Sequence, residues 1–70
     1  MKGTFNQGWW NCFESFTAEI LGVDKYASAV SRRVLEGAGI TKREAKAWLD
    51  KEGTRNPAVV EIVMAYYYSI

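Results

Sequence analysis

Thr41-Lys42-Arg43-Glu44 is where residue types and spacing could do chemistry. A Thr followed three residues later by Glu forms a capping box: hydroxyl and carboxylate each satisfy a backbone amide at a helix start. The helix so begun carries Lys42, Arg43 and Lys46 near its N-terminus, which is itself a weak anion site. The chemistry on offer is therefore recognition of anions. Residues 31–55 hold seven cations (Arg32, Arg33, Lys42, Arg43, Lys46, Lys51, Arg55) against four anions (Glu36, Glu44, Asp50, Glu52), a local charge of +3. Residues 1–30 and 56–70 are each −1, so the positive charge is concentrated in the middle of a chain whose net charge is only +1. A solvated polar face would show a similar excess, and charge alone does not separate the two readings.

Other chemistries find little support. The chain has no His, so neither a His-based triad nor the common metal-ligand sets can form. Cys12 lies among aromatic residues on an apolar helix, which predicts an inert, buried thiol. The carboxylates are unpaired and the glycines are single, so no phosphate loop exists. No enzyme, catalytic residue, metal or cofactor is expected. One cysteine cannot form an internal disulfide, and a reduced cytoplasmic thiol is the default. Met1-Lys2-Gly3 leads into polar Thr4, Asn6 and Gln7, which predicts no secretory leader. No stretch approaches the roughly 20 apolar residues of a membrane span.

Seventy residues predict one domain, 1–70, and 49% hydrophobic with 14% aromatic content suits folding without metal or disulfide. Local punctuation predicts an all-α, compact four-helix domain. Thr4 with Gln7 predicts a capping box for a first helix over about 5–21, its buried face drawn from Phe5, Trp9, Cys12, Phe13, Phe16, Ile20 and Leu21. Gly22 ends it. Asp24 predicts the cap of a second helix over about 25–38, with Tyr26, Val30, Val34, Leu35 and Ala38 inward. Gly39 predicts a left-handed stop there, with Ile40 making the accompanying apolar contact. The third helix, about 42–52, buries Ala45, Trp48 and Leu49 and stops at Gly53. Asn56-Pro57 predicts the start of a fourth helix running through Val59, Val60, Val63, Tyr66, Tyr67 and Ile70. A C-terminal strand is the competing reading of Val59-Val60 and Tyr66-Tyr67-Tyr68, but no other segment could pair with it.

The second and third helices, joined by a short turn, read as a helix-turn-helix. From Gly39-Ile40-Thr41 through Ala45 to Trp48-Leu49, and on through Gly53 and Pro57, residues 31–67 resemble Cro/repressor-type DNA-binding domains. The resemblance implies a third helix lying in the major groove of double-stranded DNA. Thr41, Lys42, Arg43 and Lys46 would face the duplex, with Asp50 outward and Ala47 beside them. Arg43 suits the two acceptors of guanine, Lys42 and Lys46 suit phosphate or guanine, and Arg32, Arg33 and Arg55 suit the backbone. The chain departs from that pattern at three positions. Leu35 stands where a small residue is usual, Ala45 where Val or Ile is usual, and Ser31 where a phosphate-clamping Gln is usual. The first two departures compensate in volume if Leu35 fills the space left at Ala45. The second helix is also longer than is usual in those domains.

Aromatic surface carries the alternative. Trp9 and Trp10 lie about 100° apart on one helix, and Tyr66, Tyr67 and Tyr68 span about 200° of another. Trp10, Tyr67 and Tyr68 are thus candidate interface residues, for a homodimer or for a larger protein partner. Two functions follow: a small DNA-binding regulator acting as a homodimer, or a helical interaction module that docks without nucleic acid.

Overall fold

The computed structural model describes residues 5–69 and contains four helices: α1 Gln7–Leu21, α2 Ala27–Gly37, α3 Lys42–Glu52 and α4 Pro57–Tyr68. The domain is all-α, with no strand among the described residues.

Each boundary has a local cause, and two differ from expectation. Helix α1 begins at Gln7 because the Asn6 side chain accepts the Trp9 amide at 2.9 Å. Gln7 instead bonds Asn11 on its own helix, and the Thr4 half of the expected capping box lies outside the described residues. Helix α2 begins at Ala27 rather than 25. The Asp24 carboxylate is turned onto the Tyr26 amide at 2.7 Å, forming a turn ahead of the helix instead of capping it.

The stop after α2 is a Schellman motif. Ile40 donates its amide to Leu35 and Gly39 donates to Glu36, with Gly39 at φ 76°. Thr41 then caps α3 through a complete capping box: Glu44 N–H to the Thr41 hydroxyl at 3.1 Å, and Thr41 N–H to the Glu44 carboxylate at 3.0 Å. Gly53, at φ 70°, ends α3 in a conformation that L side chains rarely adopt. Asn56 accepts the Ala58 amide and Pro57 opens α4.

The core is one cluster formed by Trp10 and Phe13 of α1, Leu35 of α2, Ile40 of the turn, Ala45, Trp48 and Leu49 of α3, and Val59, Ile62, Val63 and Tyr66 of α4. Trp10 and Trp48 meet edge to face, 6.1 Å between centroids. The Trp10 indole N–H donates to the Gly53 carbonyl, tying α1 to the turn before α4. Between α1 and α2 the fully buried Thr17 and Ser31 hydroxyls pair at 3.2 Å. Helices α3 and α4 form an antiparallel hairpin, the most extensive helix pair in the fold, whereas the backbones of α2 and α3 hardly approach each other. Fully buried Leu35, in place of a small residue, is consistent with that wider spacing.

Five side chains expected to face inward do not, among them Phe16, which is 36% exposed. Tyr26 is 64% exposed, because α2 starts after it. Ala38 lies past the last turn of α2 and is exposed. Cys12 is exposed, and Leu21 at the end of α1 is largely so. The inward stripe of α1 instead runs through Trp10, Phe13 and Thr17. Ile62, absent from the expected core, is fully buried.

Candidate nucleic-acid interface

The surface is built on α3. Because Ala45, Trp48 and Leu49 turn inward together, the opposite side of the helix is solvent-facing. Arg43, Ala47 and Asp50 lie on that side, and Thr41, Arg43, Ala47, Asp50 and Lys51 are all exposed.

Lys42 and Lys46 are placed differently. The α3–α4 hairpin brings the end of α4 alongside both. Lys42 is half-buried and donates its ammonium to the Ser69 carbonyl. Lys46 is half-buried, pairs with Asp50 at 2.7 Å one turn along α3, and sits 5.6 Å from the centre of the Tyr67 ring. The Asp50 hydrogen bond, the Asp50 charge and the nearby phenols Tyr67 and Tyr68 raise the Lys46 pKa, against a smaller opposing effect of burial. These two lysines therefore lean toward α4 and are not free on the outward face, because side chains on the flank of α3 are claimed by its hairpin partner.

The flanking cations are dispersed. Arg33 is exposed and Arg32 half-buried on α2, beside the inward-facing Ser31. Ser31 cannot clamp a phosphate, because its hydroxyl is consumed inside the core by Thr17. Arg55 lies beyond the far end of α3, on a groove shared with Glu14, Glu52 and Trp10.

The aromatic set also divides. Trp10 is 1% exposed and belongs to the core, so it is not an interface residue. Both indoles meet Trp48, but Trp10 rather than Trp9 takes the central position, where its N–H donates to the Gly53 carbonyl. Tyr67 and Tyr68 are exposed and pack edge to face at 5.0 Å. Beside them lies exposed Val60, while Met64 is half-buried and packs against the core. The sequence signal for that apolar surface is the charge content of α4, where Glu61 is the one charged residue from Pro57 to Tyr68.

Among the described residues no three or more His, Cys, Asp or Glu side chains gather to hold a metal ion. No helix is long and apolar enough to cross a membrane. No protein-family model, curated protein or solved structure matches the chain.

Proposed function

We propose that the chain is a small helix-turn-helix DNA-binding regulator, a cytoplasmic, non-enzymatic protein that works as a homodimer. The observation that carries the reading is the junction of α2 and α3. A Schellman stop runs directly into a capping box, and at the start of α3 Thr41 and Arg43 are exposed. A helix N-terminus with an outward Arg suits entry into a major groove. Arg43 reads guanine through its two-pronged guanidinium, while Arg33 and Lys51 contact phosphates. Lys42 and Lys46 contribute less than their position suggests, since α4 and Asp50 already engage them.

Binding to mixed duplex DNA, followed by fluorescence anisotropy over a salt series, tests this. Affinity should fall steeply with salt, and Arg33→Ala and Lys51→Ala should each reduce the slope by about one. Arg43→Ala should cost about 1–3 kcal/mol at one base pair and relax sequence preference. Lys42→Ala should leave the slope nearly unchanged. Absence of binding at about 50 mM salt, where phosphate contacts are strong, overturns the reading.

A second reading is favoured by the apolar outer strip of α4: an interaction module that docks on a larger protein without nucleic acid. It expects Tyr67→Ala and Tyr68→Ala to abolish an association that Arg43→Ala leaves intact.

A further inference from the structure

The outward side of α3 carries three exposed residues in line, Arg43, Ala47 and Asp50. They recur at four and then three residues, the spacing of one helix face. Arg43 and Asp50 are seven residues apart, about 10.5 Å along the axis. Successive bases of a strand rise about 3.4 Å. A helix that follows the groove therefore carries Arg43 and Asp50 about three base pairs apart. Between them Ala47 adds a single methyl, so this face can approach the groove floor.

An exposed carboxylate is at first sight misplaced on such a face, since phosphates repel it whatever the sequence. The surroundings of Asp50 change that. Its Oδ2 accepts the Lys46 ammonium at 2.7 Å one turn away, so the carboxylate meets DNA as half of a neutral pair. The side chain is nonetheless 61% exposed, and Oδ1 accepts no hydrogen bond among the described residues. An ionised Asp offers acceptors only. In the major groove the base donors are the amino groups of cytosine and adenine. Adenine sets its N7 acceptor beside that amino group, which opposes a carboxylate, whereas cytosine presents N4 alone. Arg43 has the converse chemistry, donors only, and matches O6 and N7 of guanine.

We propose that Asp50 is a specificity-determining residue: its open Oδ1 accepts the N4 amino group of a cytosine about three base pairs from the guanine read by Arg43. Lys46 is the positioning residue that holds and neutralises the carboxylate. This role rests on the DNA reading above and gives that surface a second base to recognise. It also gives Lys46 a function on DNA without a phosphate contact of its own.

Selection of bound duplexes from a random pool at about 50 mM salt, followed by anisotropy on single-base variants, tests it. The wild type should select G·C pairs at two positions about three apart. Asp50→Asn keeps the side chain's size and lies at an exposed position, so the fold is spared. It should move the preference at the second position from cytosine to adenine, whose N6 and N7 match an amide, by about tenfold. Asp50→Ala should erase preference at that position alone, and Arg43→Ala at the other alone. Lys46→Met should weaken the cytosine preference and leave the guanine preference intact. A cytosine preference that survives Asp50→Ala overturns the proposal. So does an Asp50→Asn protein that binds every sequence more tightly with its base preferences unchanged, which would make Asp50 only a counter-charge for Lys46. In both cases DNA binding itself stands. A wild type that binds no duplex removes the DNA reading and this inference together.

Discussion

The hydroxyl of Tyr66, donating to the Ile40 carbonyl at 2.5 Å, joins the end of α4 to the turn between α2 and α3. The carbonyl it satisfies belongs to the residue that closes the Schellman motif and precedes the Thr41 cap, so α3 is anchored at its root. Burial raises the phenol pKa above its usual value, helped by the charges of Glu36 and Glu44. The raised folded-state pKa means that the native protein holds this proton more tightly than the unfolded chain. Its stabilising effect is complete below the ordinary tyrosine pKa of about 10 and is lost as pH rises through the folded-state value. Tyr66→Phe should cost about 0.5–1.5 kcal/mol at neutral pH, the worth of one hydrogen bond. The gap between wild type and variant should narrow at alkaline pH, as read by urea unfolding across a pH series. A gap that stays constant past pH 10–11 would show that the phenol is not held as described.

At the level of helices, the expected exchange of volume between Leu35 of α2 and Ala45 of α3 can be tested directly. Both are fully buried in the same cluster, and the larger Leu stands where a small residue would permit close approach. Leu35→Ala should destabilise by about 2–5 kcal/mol, and adding Ala45→Val should recover part of that. A double-mutant cycle should give a coupling of about 0.5 kcal/mol or more, and purely additive losses would place the two residues apart. The limits of α3 and the start of α4 were legible in the sequence because their signals are local: Thr41 with Glu44, Gly39 and Gly53, and Asn56 with Pro57. The starts of α1 and α2 were less so, because neighbouring side chains compete for the same amides. Asn6 caps α1, and Asp24 spends its carboxylate on Tyr26. Of the candidate site, the outward position of Arg43 follows from the helical period alone. The capture of Lys42 by Ser69 does not, since those residues are 27 apart and meet only through the α3–α4 hairpin. The choice between Trp9 and Trp10 for the core likewise depends on the Gly53 turn, 43 residues on, which accepts the Trp10 indole N–H and which no local pattern records.

For the molecule as a whole, two surfaces with different chemistry lie on the two arms of one hairpin. The outward side of α3 presents Arg43 and Lys51, and the outer side of α4 presents Val60, Tyr67 and Tyr68. Lys42 and Lys46 lie between them, engaged with the end of α4. In the proposed reading the outward side of α3 serves nucleic acid, and a chain of small net charge could bind a polyanion because the cations needed are local, not distributed. Amide-resolved NMR spectra of the protein titrated with duplex DNA at low salt test that assignment most directly. The predicted result is a set of shifts confined to Thr41 through Lys51 and neighbouring Arg33, reversed by added salt. Spectra unchanged by DNA, or shifts confined to the outer face of α4, would contradict it.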